Sequence, residues 1–307
     1  MRLFDFHCDT LYKALTENKT LNEKTGFHIS VDKGKTFDNW IQCMAIWIPD
    51  EVRGSNAVEL LKNAHSKLLN ESRIYDIDII KSKDDLKSDK KASFIFTVEG
   101  GAALAGDIKN VSLLKELGVK FLTLTWNGTN ELGDGCLVDN PKGLTDFGRK
   151  AVIELEKNNI FIDLSHASDK LFYDVAQISS KPIVATHSNS RSVTNHPRNL
   201  TDEQFSIIKN SGGIVGLNFY KEFLNSDCSK ASMYDIIKHA DHFLSLGGEN
   251  TICLGSDFDG ADMPDDINGI EKMNDLYELF IKNGYKESVV NKIFYENGYY
   301  FCKNFDN

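Results

Sequence analysis

The chain has 307 residues, 41% hydrophobic and 26% charged, with 22 glycines and 5 prolines. That is ordinary globular material, long enough to bury a large core without staples, and it excludes a collagen-like or low-complexity protein. Thirty-five basic against 45 acidic residues give a formal charge of -10, the wrong sign for a protein whose main partner is nucleic acid.

In chain order, the start MRLFDFHCDT has no apolar signal core, and no later run reaches the roughly 18 apolar residues of a membrane span. The sequence therefore predicts a chain that stays off the membrane, in the cytoplasm. The six cysteines (Cys8, Cys43, Cys136, Cys228, Cys253, Cys302) are scattered without a CxxC pair, as reduced cytoplasmic thiols would be. Short β-branched or aromatic runs predict strands at 3–7, 40–48, 93–98, 120–125, 160–164, 182–185, 213–217 and 251–255. Amphipathic patterns predict helices at 56–70, 108–117, 145–158, 168–178, 201–210 and 232–246, and one or two more between 270 and about 301. Ser168 and the run Thr201-Asp202-Glu203-Gln204 read as N-caps.

Eight strands alternating with helices predict an α/β fold of the (β/α)8 TIM barrel type, one domain over 1–307 with a helical tail from about residue 270. The competing doubly wound sheet calls for a glycine-rich phosphate loop, and neither GxGxxG nor GxxxxGKS occurs. In a barrel the chemistry sits at the C-terminal strand ends. The first strand ends in Asp5-Phe6-His7-Cys8-Asp9, where alternation aims Asp5, His7 and Asp9 together into the mouth and Cys8 away from it. Other strands end in Glu99, in Asp163-Leu164-Ser165-His166, in Thr186-His187, and in Ser256-Asp257-Phe258-Asp259.

Taken singly, a histidine beside an aspartate is usually a surface or satisfied core residue. Five of eight strands delivering such residues at one end is not random placement, and it points to a metal site. Nitrogen and oxygen ligands suit zinc or a similar divalent ion. Five ligands are too many for one tetrahedral catalytic ion but fit two sharing a carboxylate. In that arrangement Glu99 bridges, His7 and Asp9 hold one ion, His166 and His187 hold the other, and Asp257 is left to move protons. His239 and His242, three apart on a predicted helix without a third ligand, read as a solvated face. His28 and His65 show no partners, and His196 sits in a loop near the mouth.

The segments DFHCDT, TVEGG, DLSHAS, ATHSNSRSVTNHPRNLTDEQ and GSDFDG, in that order over residues 3–260, resemble the membrane (renal-type) dipeptidases, binuclear zinc metallopeptidases on an amidohydrolase-type TIM barrel. The resemblance implies two Zn2+ per chain, one on His7, Asp9 and Glu99 and the other on Glu99, His166 and His187. It implies Asp257 as the catalytic acid and base, and Arg198 as the partner of the substrate's terminal carboxylate, which a planar guanidinium meets bidentately. It also implies a small peptide substrate that can carry a D-residue second, and a homodimer. Two departures fall where substrate lies. Trp126 stands where mammalian members have a histidine that polarises the scissile carbonyl, and Trp47 where they have a tyrosine; an indole donates one N–H but carries no charge. The expectation is a cytoplasmic zinc dipeptidase. The alternatives are another amidohydrolase reaction, such as N-acyl amino acid deacylation or phosphoester hydrolysis, and a non-catalytic metal-binding barrel.

Overall fold

A computed structural model describes residues 1–87 and 90–306. Its parallel strands are β1 (Arg2–Asp5), β2 (Asn39–Trp47), β3 (Asp78–Ile79), β4 (Ala92–Glu99), β5 (Phe121–Thr123), β6 (Phe161–Asp163), β7 (Val215–Leu217) and β8 (Ile252–Leu254). They pair in the order β6-β5-β4-β2-β1-β8-β7, with β3 flanking β4. Residues 184–185 close the gap between β6 and β7, because Val184 bridges Asp163 and Ala185 bridges Val215. The result is an eight-stave TIM barrel with β3 outside the ring, a two-residue pairing too short to show any alternation.

The strand predicted at 182–185 shrinks to those two bridging residues for a physical reason. Pro182 has no N–H to give a ladder, and the Thr186 N–H goes to the Asp163 carboxylate instead. Elsewhere the strands read as continuous apolar runs because both faces are covered: β4 is buried along its whole length. Helices Ser55–Ile74, Asn110–Glu116, Asp146–Lys157, Asp169–Ile178, Asp202–Asn210 and Met233–Ser245 lie where the periodicity predicts them. Thr201 and Gln204 form a reciprocal capping box, and Ser168 caps its helix through the Leu171 N–H.

Register positions the chemistry. Trp47 pairs with Glu99, Glu99 with Thr123, and Thr123 with Asp163, so the polar strand ends share one level of the barrel. Below that level the interior is apolar, filled by Phe4, Phe6, Ile41, Cys43, Ile95, Phe121 and Phe161. The tail supplies the floor. Segments Glu287–Asn291, Lys292–Glu296 (π-helical) and Asn297–Cys302 follow one another without a break. They bring Phe301 to 4.9 Å from Phe161 and Phe305 to 5.8 Å from Phe121. Burying each such ring contributes about 2 kcal/mol. Among the described residues no helix is long and apolar enough to cross a membrane.

Candidate metal centre

The strand ends converge on Glu99. Its Oε2 lies 3.6 Å from His7 Nε2. Its Oε1 lies 2.7 Å from His166 Nε2 and 3.5 Å from His187 Nε2. The two oxygens of one carboxylate thus face different groups. Asp9 Oδ2 is 3.4 Å from His7 Nε2, and the two other histidine Nε2 atoms are 3.0 Å apart. Three sets have ligand atoms within 4.8 Å of one another: His7, Asp9, Glu99; then Glu99, His166, His187; and also His7, His187, Asp257. His7 Nε2 and Asp9 Oδ1 are buried with no hydrogen-bond partner, a costly arrangement that a cation would satisfy.

Electrostatics agrees with the geometry. Burial pushes the Glu99 carboxyl well up and the Asp257 carboxyl up. Burial also pushes the His166 and His187 imidazoles well below their ordinary value. For His7, burial works downward, but Glu99, Asp9 and Asp257 outweigh it and drive the imidazole up to about 10. These are the responses of an acidic cluster that wants positive charge.

Asp257 and Asp259 both adopt left-handed backbone, φ 65° and 67°, yet their side chains meet different partners. Asp257 Oδ1 faces His7 Nε2 at 3.7 Å, while Oδ2 accepts from Asn218 Nδ2 at 2.9 Å. Asp259 also lines the cavity, but its side chain is buried and accepts from Thr10 Oγ1 at 2.6 Å, Lys13 Nζ at 3.2 Å and the His28 N–H at 2.8 Å. Every lone pair facing those donors is engaged in holding the loop. Gly260 leaves room beside the centre, since a Cβ there would sit 2.0 Å from Asp9 Oδ2.

The centre opens into a cavity of about 690 Å³ whose walls include Asp9, Glu99, His166 and Asp257. Its aromatic lining includes Tyr12, Trp47 and Trp126, with ring centroids 5.1 Å apart for Tyr12–Trp47 and 4.9 Å for Trp47–Trp126. Tyr220 and Phe223 also line it. Arg198 is not a wall residue. It is 3% exposed, with its guanidinium 5.1 Å over the Phe223 ring. Its Nη1 donates to Ser188 Oγ and its Nη2 to the His187 carbonyl, both at 3.3 Å.

One reading of the remaining histidines needs correction. His239 is fully buried rather than solvated; its Nδ1 accepts from the Ser190 N–H and its Nε2 lies 3.1 Å from the Leu224 carbonyl. His28 lines the cavity and accepts the Asp259 N–H on Nδ1 at 2.9 Å, but it joins none of the three ligand sets. His196 caps the Arg198 N–H and is not in the wall. Sequence reasoning missed the neutral side chains behind the histidines: Asn127 Oδ1, 2.9 Å from His166 Nδ1, and Thr186 Oγ1, 2.8 Å from His187 Nδ1. Each lies one residue from a position already singled out, and that adjacency is the only signal they carry.

The family described as membrane dipeptidase (peptidase family M19) matches residues 1–304. An uncharacterized Klebsiella pneumoniae protein in the pqqA 5′ region is 32% identical over 227 residues, 71% of this chain and 84% of that protein. Dipeptidase 3 of Mus musculus is 29% identical over 80% of this chain, which spans about half (51%) of its length. Among solved structures, a metallopeptidase from Rhodobacter sphaeroides liganded with a phosphinate mimic of the dipeptide L-Ala-D-Ala has a TM-score of 0.91 at 28% identity, over 99% of both chains. The dipeptidase AC, an M19 metallopeptidase, has a TM-score of 0.92 at 30% identity over 99% of this chain and 98% of that one.

Proposed function

The chain belongs to the membrane dipeptidase family, peptidase family M19, and on that premise we propose that it is a two-zinc dipeptidase that cleaves small peptides, including those with a D-residue second. The observation that carries this reading is the pair of ligand sets sharing Glu99. His7, Asp9 and Glu99 would hold one ion, and Glu99, His166 and His187 the other. Charge agrees with cation binding: the Asp9, Glu99 and Asp257 carboxylates crowd around His7 at 3.4 to 3.7 Å, an acidic cluster that divalent ions would neutralise. Bound ions of this kind supply Lewis acidity and a water acidified to near neutral pKa.

The chain's own groups do the rest. Asp257 faces the cavity beside His7, and burial raises its carboxyl, so it suits a proton carrier. It takes the proton of the attacking water at Oδ1 and returns it to the leaving amine. Arg198, stacked against the wall residue Phe223, gives that end of the cavity the fixed positive charge that a free peptide carboxylate needs. Trp47 and Trp126 present apolar faces for a substrate side chain. The D-residue preference is carried over from the ligand of the Rhodobacter sphaeroides structure.

The direct test is a dipeptide panel varying both positions and both chiralities, run with metal analysis. Fewer than one bound ion per chain, and no hydrolysis after zinc or cobalt is added, would sink the proposal. A sharper test targets the anchor. Arg198→Ala is expected to raise KM for free dipeptides by about 10- to 100-fold, the loss of a charge-assisted pair, with little effect on carboxyl-blocked amides. Equal losses on both substrates would remove Arg198 from carboxylate binding.

A further inference from the structure

Behind the two histidines of the second ligand set lie different kinds of partner. His166 Nδ1 meets the Asn127 side-chain amide at 2.9 Å, and an amide can present either its oxygen or its nitrogen. His187 Nδ1 meets the Thr186 hydroxyl at 2.8 Å, and that hydroxyl is already committed. Thr186 Oγ1 lies 2.7 Å from Asp163 Oδ2. The carboxylate is 1% exposed and surrounded by donors. Its Oδ1 receives the N–H groups of Ser165 and Thr186 at 3.1 and 2.9 Å and the Ser165 hydroxyl at 2.6 Å. Its Oδ2 receives the Thr123 hydroxyl at 2.5 Å.

Thr186 has one hydroxyl hydrogen and three neighbours that could take it: Asp163 Oδ2, His187 Nδ1 and Ser165 Oγ, the last at 3.3 Å. The bond to the carboxylate is the shortest and is charge-assisted, so it wins. Ser165 Oγ has its own hydrogen on Asp163 and accepts from the His187 N–H at 3.1 Å. The Thr186 oxygen can therefore only accept from His187. That places the imidazole hydrogen on Nδ1 and leaves Nε2 bare, aimed at Glu99 and His166. His187 is fully buried, so bulk water does not compete for either nitrogen. The backbone holds Thr186 tightly as well. A Cβ on either Gly216 or Gly255 would lie 1.9 Å from its carbonyl oxygen, so the neighbouring backbone approaches it closely.

We infer that Asp163, acting through the Thr186 hydroxyl, is a positioning residue that fixes His187 in the Nδ1–H tautomer, so that the second ligand set is ready before an ion arrives. The inference rests on the two-ion reading for its purpose but not for its geometry. Asp163 touches neither ion site nor substrate; its effect passes through Thr186, and the hydroxyl is the link whose removal breaks it. Supporting groups of this kind tune metal affinity by about 10- to 100-fold.

The test is histidine-selective 15N labelling of the metal-free protein, with two-bond 1H–15N correlation and zinc titration against a chromophoric chelator. In the wild type the His187 ring is expected to show a protonated Nδ1 and a bare Nε2. Thr186→Val, which removes the hydroxyl at nearly constant shape, is expected to give mixed tautomers and to weaken one of the two zinc equivalents about 10- to 100-fold. Thr186→Ser should restore both. A wild-type His187 protonated on Nε2 overturns the inference without any variant. So does a folded Thr186→Val protein with unchanged tautomer and unchanged affinity at both sites. If the wild type shows the expected tautomer yet binds no zinc, the two-ion reading fails while the assignment of His187 stands.

Discussion

Asp257 and Asp259 share a residue type, a left-handed backbone and a loop, yet the structure separates their work. Both positions carry the cost of a positive φ, which aspartate tolerates better than most residues. Asp257 keeps one oxygen toward His7 and the cavity, whereas Asp259 ties Thr10, Lys13 and the His28 backbone together. Asp257→Asn removes the proton carrier and leaves every residue of the two ligand sets in place. It is expected to keep its metal content while kcat falls by about 10²- to 10⁴-fold. Asp259→Asn should do the reverse, lowering Tm by loosening residues 10–30 while the metal-loaded enzyme that remains folded turns over near the normal rate. A rate that survives Asp257→Asn would hand the proton to another group. The sequence names both aspartates as candidates, but only the partners that each side chain meets decide between them, and no pattern in a single chain encodes those long-range contacts.

At the scale of elements, the alternation of short apolar runs with amphipathic stretches is a strong signal because each barrel unit repeats it, and strand ends are readable because polar residues interrupt otherwise apolar segments. Side-chain relays are not readable, since Thr186 and Asn127 are chemically ordinary until neighbouring strands bring Asp163 and His166 to them. His239 shows a weaker signal outranked by a stronger one. Its spacing from His242 suggests a solvated pair, but it lies three residues after Ile236 and four before Phe243, on the buried stripe of helix Met233–Ser245. There it joins the helix to the loop that carries Arg198, through the Ser190 N–H. Burial pushes this imidazole down from its ordinary 6.5 to about 4. Between those values the unfolded chain binds the proton and the folded chain does not. The stabilisation is therefore intact above pH 6.5 and is lost as pH falls toward 4, by about 3 kcal/mol in full. His239→Gln has no proton to take up, so its Tm should fall less steeply than wild type between pH 6.5 and 4. Parallel curves would show that His239 does not set the acid limit.

For the molecule as a whole, the formal charge of -10 includes a cluster of carboxylates, Asp9, Glu99 and Asp257, at the barrel mouth. Self-repulsion there destabilises the metal-free state, and neutralisation stabilises the loaded one. An ion that binds only the folded chain adds RT ln(1 + [L]/Kd), about 2.7 kcal/mol at one hundred times Kd. Chelation is therefore expected to lower Tm, and zinc readdition to raise it progressively with concentration until two equivalents are bound, as read by native mass spectrometry alongside thermal scans. Glu99 is where the two sites meet, since its two oxygens face His7 on one side and His166 with His187 on the other. Glu99→Gln keeps the shape of the side chain but replaces one of those oxygens by a donor nitrogen and removes the shared charge. It should weaken both equivalents together and flatten the zinc dependence of Tm. Loss of one equivalent with the other unchanged would make Glu99 a ligand to a single ion. The neighbouring set of His7, His187 and Asp257 would then become the candidate for holding the two sites together.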